Sequence, residues 1–146
     1  SIMYAIVATR PDLAYVVGVV SQYMSNPRRK HWEAVKHIFM YLRGTKDAQL
    51  TFGSTNPTEF EGYTASDYAK NTDNRKSTSG YIFTYGGGTI SWRSKLQECT
   101  TMLTTKAKYI ATSETTKEAI WLHRLIADFL ITSRTNRPMP SIYCDS

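Results

Sequence analysis

Tyr81-Ile82-Phe83-Thr84-Tyr85-Gly86-Gly87-Gly88-Thr89-Ile90-Ser91-Trp92-Arg93 decides the fold class of this chain. Aromatic and β-branched residues alternate on both sides of a three-glycine break, which is the signature of a β-hairpin. Working outward, Gln49–Phe52 and Phe60–Thr64 carry the same character and read as two earlier strands, with Asp73–Ser77 as a polar loop into the hairpin. On the other side, apolar residues at Ala107, Ile110, Ala111, Ala119, Ile120, Leu122, Leu125, Ile126 and Phe129 follow a helical period, predicting a helix over 101–130. Ser133–Pro140 is a polar, proline-containing loop, and Ser141–Cys144 begins one more strand. A strand, a helix and a strand in that order suit a crossover to a parallel partner. The expectation is an α+β fold, a mixed sheet with a helix on one face.

Further upstream the pattern changes from strands to helices. Thr9-Arg10-Pro11-Asp12 is a helix start, since proline suits the first turn and aspartate the positive end of the dipole. Leu13, Val16, Val17, Val20 and Met24 then form a stripe that Asn26-Pro27 ends. A second helix is predicted from Lys30 to Arg43, with Trp32, Val35, Ile38, Phe39 and Leu42 as its stripe and Gly44 as its cap. Residues 1–45 therefore read as a helical hairpin and residues 46–146 as the sheet domain.

Composition narrows the function classes. The net charge of +6 favours an acidic partner such as nucleic acid, but the one dense basic run is Arg28-Arg29-Lys30-His31 at a helix start. Cys99 and Cys144 are far apart and in no metal-ligand spacing, so a disulfide scaffold and a zinc site are not expected. His31, His37 and His123 sit inside helical patterns without a second ligand at metal spacing. No glycine-rich phosphate loop leads from a strand into a helix. No apolar run approaches the roughly 18 residues of a membrane span. Arg10, Pro11 and Asp12 break the early apolar stretch, so no secretory signal is evident. The expected compartment is cytoplasm or nucleus, with mitochondria as the alternative because Asp12 is the only acid between Ser1 and Trp32.

Seven segments, in order, carry a family resemblance. Thr9-Arg10-Pro11-Asp12-Leu13-Ala14-Tyr15 resembles the TRPDIAYAV segment near the end of the reverse transcriptase of copia-type retrotransposons. His31-Trp32-Glu33-Ala34-Val35-Lys36 with Tyr41-Leu42-Arg43-Gly44-Thr45 resembles their HWxAxKxxLRYLxGT. Gly62-Tyr63-Thr64-Ala65-Ser66-Asp67-Tyr68-Ala69 resembles GYSDADWAG, and Asn74-Arg75-Lys76-Ser77-Thr78-Ser79-Gly80-Tyr81 resembles xRKSTSGY. Ile90-Ser91-Trp92-Arg93-Ser94-Lys95-Leu96-Gln97 resembles ISWxSKKQ. Thr104-Thr105-Lys106-Ala107-Lys108-Tyr109-Ile110-Ala111 resembles STAEAEYIA, and Tyr143-Cys144-Asp145-Ser146 resembles xCDNxSA. The resemblance implies the end of a reverse transcriptase followed by a truncated RNase H-like domain, whose remaining strand, helices and last catalytic residues would lie beyond Ser146.

An RNase H implies two Mg²⁺ ions, roughly 3.5–4 Å apart, held by carboxylates around a phosphodiester. Mg²⁺ is a hard cation that takes oxygen ligands, so neither a methyl group nor an ammonium replaces a carboxylate. The resemblance places the first-strand aspartate on Ala65 and the helix glutamates on Lys106 and Lys108. Asp67 keeps the second aspartate of the strand motif, one pleat repeat or roughly 6.6 Å from position 65. Asp145 keeps the third carboxylate. Glu114 and Glu118 read as solvated helix residues.

The sequence therefore predicts a degenerate domain, not an enzyme, with no metal and no cofactor. Its leading expectation is a protein-interaction module that self-associates or binds a host protein, with Trp32, Ile38, Phe39, Leu42, Ile142 and Tyr143 as interface candidates. A weak, electrostatic nucleic-acid binder ranks second. A residual metal-dependent nuclease using Asp67, Asp145 and a glutamate ranks third.

Overall fold

The structure, a computed structural model, describes residues 9–53, 59–67, 76–98, 103–129 and 139–144. It divides into two compact units, Ser1–Leu50 and Thr51–Ser146.

The first unit is a pair of helices. A single 3₁₀ turn, Pro11–Leu13, leads into α1, Ala14–Ser21, and α2 follows over Arg29–Gly44. The helices run antiparallel, because contacts close both ends of the pair. At one end the Arg10 guanidinium donates to Asp12 at 2.8 and 3.0 Å, and to the Thr45 carbonyl at 3.2 Å and its Oγ1 at 2.7 Å. The Tyr41 hydroxyl donates to the same Asp12 carboxylate at 3.0 Å, and Arg10 lies over the Tyr41 ring. Arg10 holds the Asp12 carboxyl below its ordinary range, chiefly through the hydrogen bond. At the other end Tyr23 stacks on His31 at 4.1 Å. His31 Nδ1 also accepts the Arg28 backbone N–H at 3.1 Å, a cap that arginine itself does not supply.

The core of this pair is small: Leu13, Val17 and Ile38 are buried, with Ala14, Val20 and Leu42 packed around them. The expected α2 stripe is thus only partly used. One neighbouring helix covers one narrow stripe, so Trp32 and Phe39 stay 59% and 52% exposed.

The second unit is a mixed four-stranded sheet with a long helix, the α+β architecture expected from the sequence. Strands β1, Phe60–Asp67; β2, Thr78–Tyr85; β3, Gly88–Leu96; and β4, Ser141–Cys144, lie in the order β3-β2-β1-β4. The helix α3 spans Thr104–Phe129. β1, β2 and β3 pair antiparallel, whereas β4 pairs parallel to β1, from Glu61↔Ser141 to Thr64↔Cys144. Gly86 and Gly87, at φ +59° and +79°, form the two-residue turn between β2 and β3. That left-handed geometry at both positions favours glycine, and Gly88 already belongs to β3.

α3 packs on β1 and β2 through Ala107, Ala111, Thr115, Ala119 and Leu122, spaced four or three apart. Small residues let the helix axis approach the sheet. Phe60, Phe83, Ala119 and Leu122 form the buried core, flanked by Tyr81, Tyr85, Ile90, Ile126 and Ile142. Gly62 makes room for it, since a Cβ there would stand 2.4 Å from the Phe83 ring.

Three sequence expectations are corrected here. Gln49–Phe52 forms no strand: its neighbour Gly53 donates its backbone N–H to the Gly86 carbonyl at 3.0 Å, and the Phe52 ring rests against Gly88. Ile120 and Phe129 lie outside the buried stripe of α3, at 49% and 78% exposure, because the stripe advances by fours along the small residues. The strands also extend past the expected bounds, β1 to Asp67 and β3 to Leu96, since polar residues there still pair in the ladder. The expected loops at Asp73–Ser77 and Ser133–Pro140, and the start of the predicted helix at 101, fall largely outside the described residues.

Candidate functional site

Where β1, β4 and the first turns of α3 meet, the second unit has a cleft of about 40 Å³ lined by Thr64, Ala65, Ser66, Lys108, Ala111, Thr112 and Cys144. Topology explains the convergence. Parallel pairing sets Cys144 opposite Thr64, and the buried Ala111 and Thr115 seat the helix over that part of β1. Thr115 Oγ1 is 2.8 Å from both Thr64 Oγ1 and the Ala111 carbonyl. At the cleft, Thr112 Oγ1 and Cys144 Sγ are 3.8 Å apart.

Ala65 and Lys108, distant in sequence and singled out there, therefore share one cleft. Lys106 and Lys108 are exposed near the start of α3, and its first turn holds no acidic residue. Asp67 is half-buried at the end of β1 and does not line the cleft. Asp145 and Cys99 lie outside the described residues.

Glu114 and Glu118, expected to be solvated, instead face the sheet. Ser79 donates to Glu114 at 3.1 Å and Ser91 donates to Glu118 at 2.8 Å. Burial raises the Tyr81 phenol above its ordinary value, and nearby Glu118 adds to the rise. Both glutamates are thus tied to serine hydroxyls of β2 and β3. The signal for this was available in sequence, since positions 114 and 118 flank the small-residue stripe.

A divalent ion does not fit the described residues. The cleft offers hydroxyls, a thiol, a methyl group and an ammonium, and no group of three His, Cys, Asp or Glu among the described residues could hold a metal. His31 is used in stacking and capping.

Of the interface candidates, Ile38 and Leu42 belong to the core of the helix pair. Ile142 packs against the core of the sheet unit. Trp32 and Phe39 are exposed on α2, and Tyr143 is half exposed and stacked on Tyr63 at 5.3 Å. Tyr63 in turn donates to Glu61 at 2.8 Å, which raises its phenol above the ordinary value. No described helix is long and apolar enough to cross a membrane.

The chain is 51% identical over all of its 146 residues to the retrovirus-related Pol polyprotein from transposon TNT 1-94 of Nicotiana tabacum. It belongs to the Pol polyproteins of copia-type retrotransposons. It spans 11% of that polyprotein. It also spans 9% of the Pol polyprotein from transposon RE2 of Arabidopsis thaliana, to which it is 38% identical over 94% of its own length. A third relative is a protein of similar extent. The secreted RxLR effector protein 161 of Plasmopara viticola is 45% identical over 84% of this chain, and 86% of its own length is covered. No family model and no solved structure matches the chain.

Proposed function

We propose that this retrotransposon-derived segment is a catalytically inactive RNase H-like remnant that acts as a protein-interaction module and self-associates. The observation that carries the loss of catalysis is the cleft itself. Ala65 and Lys108 stand together where the copia resemblance puts two metal-binding carboxylates. An ammonium repels the ion that the reaction needs, and a methyl group supplies no ligand. The relative in which this segment makes up 86% of the protein supports a role outside a polymerase. Exposed Trp32, Phe39 and Met40 on α2 supply large apolar surface for a partner.

Two measurements test the two halves of the proposal. Purified protein incubated with a labelled RNA/DNA hybrid and Mg²⁺ or Mn²⁺ is expected to leave it intact. Cleavage that Asp145→Asn abolishes would refute inactivity. Light scattering across a concentration series is expected to show a dimer. A compact monomer at tens of micromolar, with no bound protein, refutes self-association.

A second reading has one observation in its favour: Lys106 and Lys108 are each exposed in the first two turns of α3. In that case the chain binds nucleic acid through phosphates, and affinity falls steeply as salt rises, because counterion release dominates.

A further inference from the structure

The one dense basic run of the sequence, Arg28-Arg29-Lys30, opens α2 with all three residues exposed. Cations at the positive end of a helix dipole are unfavourable, and the first turn of α2 holds no acid to offset them. The same sign continues along one side of the helix. Arg29, Lys36 and Arg43 recur every seven residues, two turns apart, on the side away from the buried Ile38. Trp32 and Phe39 run beside this row at the same interval, and Met40 lies on its other flank, all three exposed.

Little in this unit answers that charge. Residues 1–50 hold seven lysines and arginines against three acids, so the unit carries +4 of the chain's +6. Asp12 is engaged by Arg10 and Tyr41. Glu33, the one acid of α2, lies 3.6 Å from Arg29 with both side chains largely exposed, a pair that contributes little in water. Asp47 lies past the end of the helix, next to Lys46. Residues 1–8 contain no acid. Lys36 and Arg43 make no ion pair among the described residues.

The charge selects an anionic partner. A second copy does not fit this face, because twofold pairing about Lys36 sets Arg29 of one copy against Arg43 of the other. Contact with nucleic-acid phosphates uses cations. It leaves unexplained three large apolar side chains standing among them, along about 21 Å of helix from Arg29 to Arg43. A rigid protein needs an acidic groove shaped to this convex face. A bilayer surface needs no matching shape. Aromatic rings settle at headgroup depth there, and lysine and arginine stems reach the anionic groups beside them.

We propose that the outward face of α2, formed by Arg29, Trp32, Lys36, Phe39, Met40 and Arg43, docks on the anionic surface of a lipid bilayer. The helix lies in the plane of that surface and does not span it. This goes beyond the self-associating module and does not depend on the loss of catalysis.

The test uses the whole chain with vesicles of phosphatidylcholine containing about one-third phosphatidylserine, and with vesicles of phosphatidylcholine alone. Co-sedimentation measures binding, and quenching of tryptophan by brominated acyl chains measures insertion. Binding is expected with the anionic vesicles only, and falls as salt rises. Each cation near such a surface strengthens binding about fivefold, so Lys36→Ala with Arg43→Ala should weaken it about 25-fold. Both positions are exposed and alanine is a good helix former, so α2 is retained, which circular dichroism checks. The same charge change on α3, Lys117→Ala with Arg124→Ala, also exposed and seven residues apart, should cost less than about fivefold. Trp32→Phe should keep the binding and abolish the quenching.

No binding to anionic vesicles, equal binding to neutral ones, equal losses in the two double variants, or quenching that survives Trp32→Phe overturns the lipid face. A short RNA/DNA hybrid and poly-L-glutamate stand for the other anionic partners. Binding of either that depends on Lys36 and Arg43, without vesicle binding, assigns the face to nucleic acid or acidic protein and overturns the proposal. A dimer in light scattering that ignores vesicles keeps the self-associating module and loses only the present inference.

Discussion

The two ends of the layer between α3 and the sheet have had opposite fates. At one end Phe60, Phe83, Ala119 and Leu122 make a closed core, with Phe83 fully buried. At the other end Thr64, Ala65, Lys108, Thr112 and Cys144 surround an open cleft of about 40 Å³. The same strand and the same helix build both ends. The difference teaches that the fold and the chemistry of this layer rest on separate residues. Burial of apolar area holds the layer together. The metal centre that the resemblance implies would draw on positions 65 and 108, which are exposed and add little to the buried core. On the proposed reading, other residues at those positions would leave the scaffold intact, and a mixed cluster in place of an acidic one would relieve like-charge repulsion.

The largest effect expected from this comparison is at the closed end. Phe83→Ala should destabilise the second unit by about 3–5 kcal/mol, through lost burial and the cavity left behind. Urea denaturation with tryptophan fluorescence would measure it. A cost below about 1 kcal/mol would show that the core is not the anchor of the layer.

At the boundary between the two ends lies Thr115, fully buried and hydrogen-bonded to Thr64 and to the Ala111 carbonyl. Thr115→Val keeps its shape and removes the hydroxyl. The expected loss is about 1–2 kcal/mol, because Thr64 keeps only a long 3.4 Å bond to the Gly80 carbonyl. A neutral result would place the boundary nearer the core.

The smallest stability effect, and the sharpest probe, is Ala65→Asp combined with Lys108→Glu. Both positions are exposed, so in EDTA the change should stay within about 0.5 kcal/mol. Thermal denaturation should then rise with Mg²⁺ in the double variant and not in the parent. A loss of several kcal/mol in EDTA would mean that the cleft end is packed, and the comparison would fail.

The same division explains what was legible in the sequence. The hairpin at Tyr81–Arg93 was readable because Gly86-Gly87 is a strong local signal that tertiary structure has no reason to override. The helix before Ser141–Cys144 and the parallel pairing of that strand followed from element order alone. Position-by-position resemblance brought Ala65 and Lys108 together before any coordinates did. Periodicity misled where a partner was assumed. Trp32 and Phe39 fit a helical stripe, yet α1 covers only the part of α2 around Ile38. Gln49–Phe52 has strand-like residues, but no strand among the described residues pairs with it. Glu114 and Glu118 were missed because charged side chains are ordinarily solvated, although both flank the small-residue stripe, and the serines of β2 and β3 show their use.

The pairing of β4 with β1 has a consequence for the cleft in time. Four residues, paired on the β1 side, carry Cys144 into the wall. β2, by contrast, is paired along its full length on both sides. Opening free energies within one domain range from near zero at weakly held elements to the global value in the core. Among the described strands β4 makes the fewest ladder pairs, and its amides are expected to exchange with solvent ahead of those of β2. Each such excursion removes one wall of the cleft while the hairpin and α3 stay folded. Occupancy of the cleft and protection of β4 are then linked, so that whatever binds there also slows the fraying of that strand.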